Sequence, residues 1–448
     1  MNILLAILGS LAAIVSVILI HETGHFIVAR LCGVYVERFS IGFGKVLWRK
    51  KDKRGTEYCL SLLPLGGYVK MLGETGDEPV EPALQSQSFS HKPILARLAI
   101  VAAGPVTNFI LAIVLFWAVF LANLPQLKPV IGDVQPNTIA EAAGLKPGQT
   151  IVAIDDHSTP NWQQVVIRLF YRLGDEGLMK IDTMAPPQTH WLHVDLWQLN
   201  NKKPDPLGSL GFKPYMPPWP PIVQQVAPHS PADKAGLKPG DRLVRMEQKA
   251  VNNWMTVSDF LQQHPGKTIT LTWERKGQRF TQSLTLASKG WHKPVGFLGV
   301  QVQPPDWPVS MQAETHYTFL TAWIPAAQQT WTLTAFNAIV LAKMLTGKLS
   351  MGLLGGPISI FQRAGEASQG GWVPYFGFIA FISATLGFIN LLPIPMLDGG
   401  HLLFYGVEAL IRRPIPERIQ HLLLRIGLIL LLWVMVQATF NDIMRLLS

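Results

Sequence analysis

At 448 residues the chain has room for two to four domains. Hydrophobic residues make up 48% and charged residues only 15%, against roughly 25% charged in a typical soluble protein, which argues against a wholly soluble chain and for membrane segments. The net charge of +9 fits basic cytoplasmic loops against anionic lipid headgroups; no aromatic–basic motif accompanies it that would point to nucleic acid. The two cysteines, Cys32 and Cys59, argue against a disulfide framework, and neither lies in a CxxC pair that would support a thiolate zinc site.

The first apolar stretch runs from about Ile3 to Leu31. Met1-Asn2 carries no Lys or Arg and no A-x-A-like site follows, so the stretch reads as a retained transmembrane helix rather than a signal peptide. Three more stretches reach the roughly 20 residues that a bilayer requires. They run from about Leu98 to Leu124, from Tyr375 to the 390s, where Pro393 and Pro395 interrupt, and from Ile419 to Phe440. Lys45, Arg49, Lys50, Lys51, Lys53 and Arg54 follow the first, and Arg412, Arg413 and Arg418 lie between the last two. The positive-inside rule makes both connections cytoplasmic. Counting spans then puts both termini and the long region between spans two and three on the other side.

That long region contains a repeat. PNTIAEAAGLKPG at 136–148 returns as PHSPADKAGLKPG at 228–240, an offset of 92 residues that also relates Asn161-Trp162 to Asn253-Trp254. Short β-type runs (Thr150 to Ile154, Arg242 to Met246, Thr268 to Trp273) predict a small β-rich domain in two tandem copies, linked by the Pro-rich segment Pro204 to Pro221. With AGLKPGD at 235–241, the copies resemble PDZ domains of the bacterial protease-associated type over roughly 128–305. PDZ domains take up extended peptides or C-termini by strand addition. The corresponding loops are expected near Val130 to Val134 and Ile222 to Val226, neither of which has a GLGF-like sequence, so peptide capture and a steric filter both stay open. The copies differ at Gln149-Thr150 against Asp241-Arg242. Beyond them, Thr318 to Ser350 has helical apolar spacing, fitting either a surface amphipathic helix or a packing helix.

The chemistry sits in His21-Glu22-Thr23-Gly24-His25. On a helix, positions i and i+4 share a face, so both imidazoles reach one ion, while Glu22, about 100° round, is placed to act on water without being a ligand. Ionisable groups inside an apolar span are costly and usually functional. A zinc site of this class needs a third protein ligand and one open position. Asp398, in NLLPIPMLDGGH at 390–401, lies at similar depth on another span; His401 competes with it, Glu408 lies farther along, and a helix cap is the structural alternative for Asp398. Zinc lowers the pKa of water from 15.7 to about 7, and Glu22 would move the proton to the leaving amine. A scissile bond must leave helical form, so the Gly-rich runs Ile41 to Gly44 and Tyr58 to Leu72 could hold it extended or form an ordinary hairpin.

These residues together resemble the site-2 protease family of intramembrane zinc metalloproteases. The likeness extends over nearly the whole chain, through HETGHFIVARLCGV at 21–34, RFSIGFGKVLW at 38–48, PLGGYVKML at 64–72, AAGPVTNF at 102–109, GPISI at 356–360 and NLLPIPMLDGGHLLF at 390–404. It implies one zinc ion held by His21, His25 and Asp398, with Glu22 as base. It also implies substrate contacts at Asn390, at Gly42 and Gly44, and along Tyr68, Val69, Lys70, Met71 and Leu72. Family members cleave transmembrane segments of anti-sigma factors already trimmed by another protease, and some clear signal-peptide remnants. Paired PDZ domains on the periplasmic side of a bacterial inner membrane are thought to exclude untrimmed substrates. The expected architecture is a multi-pass α-helical membrane protein of about four transmembrane helices with two tandem β-rich PDZ domains inserted between spans two and three. It divides into a membrane core over 1–127 and 374–448, PDZ copies over 128–221 and 222–305, and a linker with an amphipathic helix over 306–373.

Overall fold

The structure, a computed structural model, describes residues 3–74, 80–195, 197, 199, 205–289, 294–313, 316–413 and 415–447. Among these, four helices are long and apolar enough to cross a membrane: α1 (Ile3–Leu31), α2 (Ile94–Leu121), and two more near the C-terminus. Between α1 and α2 lie two long strands, β1 (Val36–Lys51) and β2 (Glu57–Met71). Their register shows a folded-over arrangement rather than a plain hairpin. Residues 38–41 of β1 pair on one side with 67–70 of β2 and on the other with 57–60, which in turn pair with 48–51. The bend in β1 falls at Gly42 and Gly44, whose φ values of 89° and 84° only glycine adopts without strain. Tyr68, Val69 and Lys70 thus form an outer strand with one neighbour, Arg38 to Ser40.

The repeat folds as two similar β-rich units. In the first, the sheet order is His157–Ser158, Thr150–Ile154, Gly177–Met184, Gln188–Val194; in the second it is Lys249–Ala250, Arg242–Met246, Thr268–Arg275, Gln278–Thr285. Each carries an amphipathic helix, α3 (Trp162–Arg172) or α4 (Trp254–Gln263), capped by the side chain of Asn161 or Asn253. Each is closed by pairing its entry strand with its exit strand, 131–134 with 212–214 and 223–226 with 300–302. Part of the Pro-rich segment read as a linker is therefore structural: Phe212 lies wholly inside the first core. The Gly-Leu-Gly-Phe-like pattern missing from Val130–Val134 and Ile222–Val226 runs instead into the exit strands, as Gly208-Ser209-Leu210-Gly211-Phe212 and Gly296-Phe297-Leu298-Gly299-Val300, whose last residues open the strands at 212–214 and 300–302. At the position where the copies differ, each has a partner suited to it: buried Asp241 accepts two bonds from Arg275, and buried Gln149 meets His190.

The chain then returns through α5 (Trp323–Leu345), α6 (Pro357–Gln369), α7 (Trp372–Leu391), α8 (Asp398–Ile411) and α9 (Glu417–Leu447); α7 and α9 are the remaining candidate spans. Helix α5 packs against α2 and α7, burying Ala326, Thr330 and Leu333, while Trp331 stays exposed. Its C-terminal end joins the first β unit, whose core includes Met344 and Leu349. There the Lys343 ammonium donates to the carbonyls of Tyr171 and Leu173 and to the Asp175 carboxylate, a cation at the C-terminal end of α3 where the helix dipole favours it. Lys348 also donates to Asp175. The 351–359 segment is clasped by α9: Asn441 donates to Met351 O, and Asp442 accepts from the Gly356 and Ser359 amides and the Ser359 hydroxyl.

Burial acts to raise the Asp175 carboxyl pKa, but Lys343 and Lys348 outweigh it and hold the group below the usual carboxylate range. A depressed folded pKa means that the anchor is fully formed above the unfolded value of about 4 and is lost as pH falls through the folded value. Hydrogen exchange on the intact protein should show residues 165–173 and 340–349 losing protection together below about pH 4, and at neutral pH in Lys343→Met. Unchanged protection in Lys343→Met would remove the anchor from the account.

Candidate metal centre

Helix α1 places His21 and His25 one turn apart, buried, with their rings edge-to-face. Their approach to α2 depends on two missing side chains. A Cβ at Gly24 would lie 2.5 Å from Ala103 O, and one at Gly104 would lie 2.2 Å from His25 Nε2 and 2.7 Å from His21 Cε1. Helix α2 thus lies directly against the histidine face and supplies its hydrogen bonds. His25 Nδ1 is 2.9 Å from Ile100 O, and His21 Nδ1 is 3.1 Å from Asn108 Nδ2. Because Ile100 O can only accept, His25 carries its proton on Nδ1 and turns the lone pair of Nε2 inward.

Asp398 comes from the other end of the chain. After α7 stops at Leu391, the turn through Pro393 to Leu397 includes Met396 at φ 89°, and Asp398 opens α8. The N-cap of α8 is Leu397 and no side chain caps it, so the capping role considered for Asp398 is not what the structure has. Asp398 Oδ2 lies 3.1 Å from His21 Nε2 and 3.4 Å from His25 Nε2, while the two Nε2 atoms are 3.2 Å apart. Oδ2 is buried and makes no hydrogen bond among the described residues. Four-coordinate zinc with bonds of about 2.0–2.1 Å keeps its ligand atoms about 3.3 Å apart. The donor set of two imidazole nitrogens and one carboxylate oxygen fits that ion in both chemistry and spacing.

The three donors border a cavity of about 230 Å³ that Glu22, Gly67, Tyr68, Val69 and Met71 also line. Gly67 lets the outer strand close on the base, since a Cβ there would lie 3.0 Å from Glu22 Cγ. His401 lines the cavity but does not belong to the three-donor group. Glu408 is engaged elsewhere, bonded to Arg97 of α2 at 2.6 and 3.2 Å. Of the other residues singled out in the sequence, Lys70 pairs with Glu37 at 3.0 Å and Leu72 donates its amide to Tyr35 O. Gly42 and Gly44 lie at the bend of β1, and Asn390 lies in the last turn of α7, half-buried; these three are not among the residues lining the cavity. Gly67, Gly104 and Asn108 lie inside the stretches 64–72 and 102–109 that the sequence singles out, but the sequence assigns no role of its own to any of them or to Ile100. The signal for two of them was Gly104-Pro105 and a polar Asn108 inside an otherwise apolar span.

The peptidase family M50 model matches residues 9–434. The chain belongs to peptidase family M50. It is 43% identical over 433 residues to the regulator of sigma-E protease RseP of Escherichia coli K12, covering 96% of each chain. It is 42% identical to protease RseP of Yersinia pestis, covering 99% of this chain and 100% of that one. A putative zinc metalloprotease of Vibrio cholerae is 39% identical, with 95% of this chain and 96% of that one covered. Membership makes this M50 chain a zinc metalloprotease. Among solved structures, a PDZ domain of an SdrC-like protein from Listeria monocytogenes aligns with 18% of this chain and 84% of its own, at 16% identity and a TM-score of 0.17, and no argument rests on it.

Gly104→Ala should force the imidazoles apart and lower the zinc content of the purified protein about tenfold or more, the range seen when ligand support is lost. Gly377→Ala, also in a span but with nothing within 4 Å of the added carbon, should leave metal content unchanged. Equal zinc in both variants would refute the packing argument.

Proposed function

We propose that this M50 protease cleaves peptide bonds within transmembrane segments, with one zinc ion held by His21, His25 and Asp398 and with Glu22 as the general base. The observation that carries the reading is the 3.1–3.4 Å convergence of donor atoms from residues 21, 25 and 398, at opposite ends of the chain, beside a cavity that Glu22 also lines. Zinc held there would polarise the scissile carbonyl and bring the pKa of water from 15.7 to about 7. Glu22 takes a proton from the attacking water and delivers it to the departing amine. Its carboxylate stays clear of the ligand set because it lies about 100° round α1 from His21.

A helical substrate must be extended before its carbonyl can be attacked. The outer strand from Tyr68 to Met71 supports strand addition next to the base: it has one strand neighbour, and Tyr68, Val69 and Met71 line the cavity. We assign Gly42 and Gly44 the bend that builds this sheet, and Asn390 a grip on substrate from the end of α7. The names of the Escherichia and Yersinia relatives point to sigma-E regulation. The substrate we propose is accordingly an anti-sigma factor already trimmed by another protease, with signal-peptide remnants as a second class, at a bacterial inner membrane. We read the two β-rich units as periplasmic PDZ domains. Anchoring of the first through Lys343 and Asp175 favours a fixed size filter over capture of peptide termini.

Glu22→Gln should bind zinc like the parent and lose at least 10²-fold in cleavage of a model transmembrane substrate; cleavage at the parent rate would end the mechanism. In the same preparations Asp398→Ala should lose zinc and His401→Ala should keep it. The reverse pattern would replace Asp398 with His401 in the ligand set.

A further inference from the structure

The two imidazoles are supported unequally. His25 has a backbone carbonyl at Nδ1, an acceptor that leaves only one tautomer. His21 has at its Nδ1 a side-chain amide, that of Asn108, whose nitrogen faces it at 3.1 Å. In that orientation Asn108 donates, so the His21 ring proton sits on Nε2, the atom that points at Asp398 and His25. A protonated Nε2 cannot be a ligand. A half-turn of the carboxamide exchanges its two ends without changing its shape, and it loses no bond at the other end: Asn108 Oδ1 is buried and has no hydrogen-bond partner among the described residues. Asn108 itself is wholly inaccessible, on the turn of α2 after Gly104, and its backbone carbonyl accepts from Ser383 of α7. The backbone of Asn108 is thus tied to α7 while its buried side chain meets the one ring atom that decides which His21 nitrogen is free.

We propose that Asn108 is the positioning residue of His21. Its side-chain oxygen accepts the Nδ1 proton, fixes the tautomer with a free Nε2, and holds the ring in the plane that meets Asp398. Asn108 touches neither substrate nor metal and acts through His21. The inference rests on the ligand set proposed above, and it requires an acceptor at position 108, not a donor.

The test is the zinc affinity of the full-length, metal-stripped protein in detergent, measured by competition with a chromophoric chelator. Asn108→Leu, close in size and without an acceptor, should weaken zinc binding 10- to 100-fold, the range typical of lost support behind a ligand. Asn108→Asp, which offers only acceptors when ionised, should bind within about threefold of the parent. Parent-like binding by Asn108→Leu overturns the proposal, and so does a loss in Asn108→Asp as large as in Asn108→Leu. Should Asn108→Leu fail to fold, the Asp variant still decides: retention of zinc supports an acceptor role and loss refutes it. His21→Ala separates the two layers of the argument. If it binds zinc like the parent, the ligand set is wrong. If it loses zinc while Asn108→Leu does not, only the role of Asn108 fails.

Discussion

The close contact between α1 and α2 is the constraint on which the rest of the centre depends. Two helices normally keep their axes 8–10 Å apart because side chains fill the gap. Here Gly24 on one helix and Gly104 on the other leave the room at the crossing to the Thr107 hydroxyl and the two imidazoles, and each faces atoms that any Cβ would overlap. That closeness turns backbone and a short amide of α2, Ile100 O and Asn108, into support for the two histidines of α1. A polar cluster in a low-dielectric span is tolerated only when its groups are satisfied, and α2 supplies partners to both imidazoles.

The third donor reaches the same point because α8 is fixed on α2 as well. Arg97 near the start of α2 bonds Glu408 of α8 through both guanidinium nitrogens, and its guanidinium lies 4.8 Å from the Tyr405 ring centroid. Bidentate geometry of this kind fixes orientation as well as distance. One helix therefore sets the positions of both halves of the donor group. This explains how residues at 21, 25 and 398 can converge to within hydrogen-bonding distances although the β1–β2 sheet, two β-rich units and the helices α2, α5, α6 and α7 separate them in sequence.

How much of this was legible in the sequence follows from the range of each interaction. His21 and His25 are related by helix geometry alone, so their spacing suffices. The spans, the repeat and the first strands of each unit are periodic or duplicated, and they appear near the expected places, although α2 starts at Ile94 rather than Leu98 and α9 runs on to Leu447. Asp398 was reachable because depth along two spans can be counted. Gly104 and Asn108 were not, because their roles arise from contact with a different helix, and a glycine in a span looks the same whether it faces lipid or a histidine. The fold-back of β1 was hidden for a similar reason. Each strand pairs with both halves of the other, and alternation along one strand carries no record of which half lies beside it.

The same geometry bears on how a protease in a membrane can remain selective. Its cavity of about 230 Å³ is smaller than the roughly 300–1,000 Å³ typical of small-molecule pockets. On the function proposed above, an extended stretch of substrate lies beside Glu22 and the outer strand, both of which line this cavity. With the transmembrane substrates proposed above, local helicity would then be a term in reactivity: each residue pulled out of helical form would have to regain its backbone hydrogen bonds from the strand ending at Met71 or leave them unmade, which costs about 1–3 kcal/mol per buried group. A segment containing helix-breaking residues loses fewer such bonds on unwinding. Selection can thus rest on how easily a span unwinds, with little need to read the side chains that face the zinc.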